Sequence, residues 1–274
     1  MSRTGFFTIV VTAALFGSLS TSIISIGLVK AAHNPSDRAV TSRLVADRSP
    51  TAPSDHLALL IANSNFPDAD APMADVTAGA DALANVLRSR GFLVILVRDA
   101  TRAGITKAVD RLKGAARPGS VVLLYFGGFA VQSQGQNYMI PIDAKIWQER
   151  DLRRDGVKIE RALSDLNASG ARILIAIVDA SRHNPYERRF RDYSHGLAPI
   201  DADENTIVVT STLPEQVVDY AGASPNRLVN GLAAEISWSS RSVEEVFAAR
   251  AAAAAGSQRQ QENSVPAMES RENG

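Results

Sequence analysis

The stretch from Arg172 to Pro185 constrains the fold more than any other. Arg172 is followed by Ile-Leu-Ile-Ala-Ile-Val, an apolar run without alternation, which is the pattern of a strand buried on both faces of a parallel sheet. Asp179 ends the run. His183-Asn-Pro185 cannot extend it, because proline lacks an N–H and biases its predecessor away from regular helix. Ser181 is thereby expected just beyond the carboxyl end of a central strand, where open α/β sheets hold their ligand crevice.

The rest of the chain supplies partners for such a strand. His56 to Ala62 is an apolar run suited to a first strand, and Val76, Ala80, Leu83 and Leu87 recur at helical spacing before Gly91. Phe92 to Val97 reads as a second strand, Thr101 as the cap of a helix carrying Ile105, Val109 and Leu112, and Pro118-Gly119 as the turn into a third strand, Val121 to Phe126. A short run follows at Tyr138 to Ile142, then a helix over Val157 to Leu166 and, after the central strand, a sixth strand at Thr206 to Ser211. Pro225-Asn226 opens a helix with Leu228, Val229, Leu232 and Ile236 on one face, and Val243, Val246 and Phe247 dock a last one. Alternating strands and helices predict a mainly parallel sheet.

Two motif stretches carry a family resemblance. Asp179-Ala-Ser-Arg-His-Asn-Pro185 is similar to the Asp-Ala-Cys-Arg-Asn-Asn-Pro segment that holds the nucleophile of bacterial caspase-like and metacaspase-like cysteine peptidases. Val121-Val-Leu-Leu-Tyr-Phe-Gly-Gly-Phe-Ala130 and Gly135-Gln-Asn-Tyr-Met-Ile-Pro-Ile-Asp143 resemble the family's Tyr-Tyr-Ser-Gly-His-Gly strand end and its Asn-Tyr-Leu-Ile-Pro-x-Asp continuation. Leu57 to Asn63, Asp81-Ala-Leu83, Arg90-Gly-Phe92, Gly196-Leu-Ala198 and Ser211-Thr-Leu-Pro214 resemble further segments in the family's order, so the likeness spans about Leu57 to Phe247. It implies a caspase-like three-layer α/β sandwich, a six-stranded mainly parallel sheet with helices on both faces.

The same resemblance casts doubt on activity. In the family a histidine and a cysteine at adjacent strand ends form a dyad, the histidine taking the thiol proton. Phe129 stands at the histidine position and Ser181 at the cysteine position; Gly127 replaces a frequent serine and Ala130 a glycine. Phe129 has no proton to exchange, and a serine hydroxyl is far less acidic than a cysteine thiol, which ordinarily titrates near pH ~8.5, so no catalytic residue is expected to function. Metacaspase-like members keep an acidic residue two positions before the nucleophile that selects a basic substrate side chain, which Asp179 matches; a strand-end carboxylate bonded to backbone is the equal alternative. By the same likeness Gly128 and Asp143 belong to the peptide-binding groups.

Composition narrows the function classes. The chain has 274 residues, 45% of them hydrophobic, and its 29 basic and 29 acidic residues cancel, so nothing points to nucleic acid. It contains no cysteine, which removes disulfides, thiolate metal sites and a cysteine nucleophile together. His33, His56, His183 and His195 are its four histidines, none at a metal-ligand spacing, so no metal is expected. Neither nucleotide-binding glycine motif occurs, and no cofactor is expected. The leading expectation is a pseudopeptidase that binds a peptide or protein. The alternative is a residual hydrolase using Ser181, for which His183 lies too close in sequence and His195 sits in a polar loop from Glu187 to Gly196. A purely structural exported domain is the third class.

Phe6 to Val29 is uncharged, flanked by Arg3 and Lys30, and long enough for either a signal peptide or an uncleaved membrane anchor. The expected location is therefore exported, periplasmic or membrane-anchored, with membrane contact through this segment if it is retained. The expected organisation is 1–32 signal or anchor, 33–54 linker, 55–255 caspase-like domain and 256–274 disordered tail.

Overall fold

The computed structural model describes residues 55–67, 73–180, 196–211 and 227–263. Its frame is a sheet of five parallel strands in the order β2-β1-β3-β7-β8, where β1 is His56–Ala62, β2 Leu93–Arg98, β3 Val121–Gly127, β7 Ile173–Asp179 and β8 Thr206–Thr210. The three central strands carry the longest apolar runs and are buried almost throughout, whereas both edge strands are half-buried. Continuous hydrophobicity in β1, β3 and β7 thus reports helices on both faces.

Against one face lie α2 (Arg102–Ala115) and α4 (Ile159–Asn167), which bury Ile105, Val109, Leu112, Leu163 and Leu166 on Leu57, Leu59, Leu124 and Leu174. Against the other lie α1 (Ala74–Ser89), α5 (Arg227–Trp238) and α6 (Val243–Asn263), contributing Val76, Leu83, Leu87, Leu232, Ile236 and Phe247 to a core with Leu60, Leu123, Tyr125 and Ile177. The predicted helical stripes are those that are buried. Thr101 caps α2 as expected, its side chain accepting from the Gly104 N–H at 3.1 Å.

Among the described residues the parallel sheet has five strands where six were expected. The run at Tyr138 to Ile142 enters a separate antiparallel sheet, β4 (Ala130–Ser133), β5 (Gln136–Met139) and β6 (Val157–Lys158). Gln134 and Gly135 both have positive φ, 53° and 72°, the geometry of a two-residue hairpin turn that pairs β5 with its immediate predecessor. The predicted helix over Val157 to Leu166 is accordingly split, its first two residues joining β5 and the remainder forming α4. A short helix unforeseen in the sequence, α3 (Glu149–Asp155), is capped by Asp151, whose carboxylate accepts from the N–H groups of Trp147 and Gln148 at 3.1 and 3.2 Å.

α6 continues to Asn263, so residues 256–263 of the expected disordered tail are helical, and 264–274 lie outside the described residues. One interior glycine costs a helix only about 1 kcal/mol, and alanine before it and glutamine, arginine and glutamate after it favour helix. No helix among the described residues is long and apolar enough to cross a membrane. Phe6 to Val29 and the 33–54 linker lie outside the described residues, as do Pro225 and Asn226.

Candidate functional site

Chain order sets the expected place of a ligand crevice, between β1 and β3. From β1 the chain crosses to β2 on one side and returns to β3 on the other, so the topological switch point falls between these two strands at their carboxyl ends. Ala62, Gly127 and Asp179 are in register across β1, β3 and β7 there.

Asn63, immediately after β1, closes the floor. Its side chain is fully buried; Nδ2 donates to the carbonyls of Ala100 and Ile140 at 3.3 and 3.1 Å, Oδ1 accepts from the Ala100 N–H at 2.8 Å, and its backbone N–H donates to Gly127 O at 2.9 Å. One residue therefore ties together the ends of β1 and β3 through its backbone, and the β2–α2 turn and the segment after β5 through its side-chain amide. Asp99 holds the next loop by accepting from the N–H groups of Ser64 and Asn65, both at 2.9 Å, and does so from a positive φ of 49°. Neither residue was singled out from sequence; a polar amide directly after an apolar strand was the only signal.

Above this floor the chain runs Gly127-Gly128-Phe129. Tyr125 and Gly127 share one face of β3, and the Tyr125 ring lies over the glycine. A Cβ on Gly127 would meet Tyr125 Cζ and Val76 Cγ1, each at 2.9 Å, and would press on the Tyr125 hydroxyl oxygen. Gly128, at φ 150°, would place a Cβ 3.1 Å from Asn63 O. Small residues here are a packing requirement, since the backbone passes within contact of Asn63.

Phe129, at the position the resemblance assigns to a histidine, is only 6% exposed. It packs in an apolar cluster with Phe66, Val131, Tyr138, Ile140, Ile146 and Leu152, and its backbone carbonyl accepts from the Ile140 N–H at 3.0 Å. Burial raises the Tyr138 phenol pKa above its ordinary value, Arg153 opposing and Glu160 reinforcing that shift. The surroundings of Phe129 are thus apolar, with the Tyr138 phenol on their border. His56, the one histidine among the described residues, starts β1 and lies at the opposite end of the sheet.

The three expected peptide-binding residues occupy different settings. Gly128 is buried against Asn63. Asp179 ends β7 beside Gly127 and is 1% exposed. Asp143 is exposed, and its Oδ1 accepts from the Arg102 N–H at 2.8 Å at the start of α2. Ser181, His183 and His195 lie outside the described residues.

Two of the motif stretches noted in sequence also meet. Asn137 Nδ2 donates to Glu160 Oε1 at 2.8 Å and to Ala198 O at 3.1 Å, while its Oδ1 accepts from the Ala198 N–H at 2.9 Å, which binds Gly196-Leu-Ala198 to β5.

Comparison with known proteins agrees with this geometry. Residues 55–273 match the caspase domain family. The human mucosa-associated lymphoid tissue lymphoma translocation protein 1 is 36% identical over 93 residues, and its mouse homologue 34% over 93 residues; each alignment covers 33% of this chain. The matched segment spans only 11% of either relative's length. The family match extends over most of the sequence and includes β1, β3 and β7, whose carboxyl ends meet at the candidate site, so the chain belongs to the caspase domain family.

Proposed function

We propose that this chain is a pseudopeptidase, a caspase domain that binds a peptide or partner protein in its strand-end crevice without cleaving it. The observation that carries the reading is Phe129, buried among apolar side chains where the family's base would stand, in a chain that has no cysteine. A thiolate mechanism needs both a cysteine sulfur and a proton acceptor; the chain has no cysteine, and the Phe129 ring cannot accept a proton.

In this reading Asp179 supplies the selecting charge, Gly128 lets a ligand backbone approach, and Asp143 stands at the rim. Backbone pairing along an extended ligand supplies most of the affinity. An ion pair at Asp179 adds selectivity for a basic side chain rather than most of the affinity. The Phe6 to Val29 segment carries the domain to an exported or membrane-anchored location.

The test is incubation of the purified domain with Arg- and Lys-containing peptides and with a covalent serine-hydrolase probe. Neither turnover nor labelling is expected. Turnover or labelling that disappears in Ser181→Ala establishes the residual hydrolase instead. Titrating Arg- and Glu-bearing versions of one peptide against wild type and Asp179→Asn then tests binding: the Arg preference is expected in wild type and lost in the variant.

A further inference from the structure

We propose that the outer edge of β2 is a second recognition site, which accepts an extended acidic segment as an added strand. It goes beyond the crevice reading and does not depend on it. β2 is an edge of the parallel sheet, so its outward backbone N–H and C=O groups have no strand partner among the described residues. Long edge strands are ordinarily blunted by inward charges, proline or bulges. β2 reads Leu-Val-Ile-Leu-Val-Arg, with no charge until Arg98 and no proline.

Beside this edge, between β2 and α2, is an open groove of about 370 Å³. Ile95, Val97, Ala103 and Ala108 supply apolar wall, and the charged residues that line it are Arg98, Lys107 and Arg111, with no carboxylate among them. Arg98 is already paired with Asp81. Lys107 and Arg111 are exposed, and neither is ion-paired among the described residues.

The spacing of these two cations fits a strand. Four residues along a helix advance about 6 Å, and two residues along a strand about 6.6 Å. An added strand alternates its side chains, so every second residue faces α2. Carboxylates at i and i+2 of the incoming segment would then stand opposite Lys107 and Arg111, while apolar residues at i−2 and i+4 extend the same face on either side of them. Backbone pairing with β2 gives the affinity and the two cations the choice of an acidic segment. The occupant is therefore a segment of another protein in extended form, bearing acidic residues at alternate positions.

The probe is a capped peptide of sequence Val-Thr-Glu-Thr-Glu-Thr-Val, whose palindromic pattern suits either strand direction. Calorimetric titration into the domain is expected to show saturable one-to-one binding. Replacing both glutamates by lysine is expected to weaken binding at least tenfold, and the double variant Lys107→Glu/Arg111→Glu should reverse that preference. Two N-methylated series, at odd or at even residues, separate strand addition from simple charge attraction, because only one set of amides faces β2. One series is expected to lose binding at least tenfold and the other to retain it. The proposal is overturned if the Glu peptide does not bind, if both methylated series bind as the parent does, or if the double variant leaves the preference unchanged. The crevice uses neither Lys107 nor Arg111, so a negative result here leaves the pseudopeptidase reading standing.

Discussion

The rings of Phe66 and Phe129 lie with centroids 4.7 Å apart and planes tilted by 48°, so the loop after β1 packs directly on the side chain that the resemblance sets at the histidine position. Such a pair is worth about 0.5 to 1.5 kcal/mol beyond the area it buries, and full burial of a Phe side chain adds about 1.5 to 3 kcal/mol. In the proposed reading, losing the catalytic base and gaining a core contact are one substitution.

Phe129→His is therefore expected to lower the melting temperature, with a loss of about 2 kcal/mol or more at pH 8. The loss should grow on acidification. An imidazole in this cluster has its folded pKa depressed by burial below the unfolded value of about 6.5, so stability is retained above that value and falls as the pH drops below it. Thermal melts between pH 8 and pH 5 check both parts; a variant that melts as wild type does across this range would mean that the site accepts a polar ring.

In the proposed reading, rebuilding a dyad also meets the packing around Gly127. Gly127→Ser, which rebuilds the family's frequent serine, is expected to cost about 1 to 3 kcal/mol, because its Cβ would meet Tyr125 and Val76 at 2.9 Å. Tyr125→Phe removes the nearest oxygen and should recover part of the cost. A double-mutant cycle on denaturant midpoints measures it, and a coupling below about 0.5 kcal/mol would place the conflict elsewhere.

The helix stripes and central strands were legible in sequence because burial is periodic: Val76, Ala80, Leu83 and Leu87 on α1, and unbroken apolar runs in β1, β3 and β7. The antiparallel sheet was misassigned because periodicity reports that Tyr138 belongs to a strand without saying which strand it joins. Gln134-Gly135, two residues between two short runs, held that information as turn chemistry. At the site, Phe129 was legible by its motif position, and its packing followed from its being a phenyl ring. Asn63 and Asp99 were not, because their roles rest on carbonyls and N–H groups contributed by segments about 35 to 77 residues away.

Asp143 tests the division between structural and binding roles. Its carboxylate accepts from the Arg102 N–H at the start of α2, so Asp143→Ala is expected to destabilise by about 1 kcal/mol, while Asp143→Asn, which keeps an acceptor oxygen, should cost only a few tenths. Chemical denaturation of the two variants distinguishes them. Equal losses would show that charge at the helix N-terminus, rather than the hydrogen bond, is what matters.

Glu244 gives the domain an acid-sensitive joint. It lies in the first turn of α6, where its Oε1 meets Arg172 at 3.2 Å and His56 at 4.0 Å, so one carboxylate links α6 to the starts of β7 and β1. Burial raises its pKa, but its own backbone N–H, Arg172 and Ser242 together outweigh that and hold it below the ordinary value of 4.5. A depressed carboxylate contributes stability that is complete above the unfolded pKa and disappears as the pH falls through the folded one. Arg172 is half exposed, which limits the contribution to about 1 kcal/mol. Glu244→Gln is therefore expected to be less stable than wild type at pH 7 by up to that amount, with the two curves converging below about pH 4.5. Denaturant midpoints measured from pH 7 to pH 3 decide it: a difference that persists unchanged at pH 3 would mean that the glutamate acts through its shape and hydrogen bonds, not through its charge.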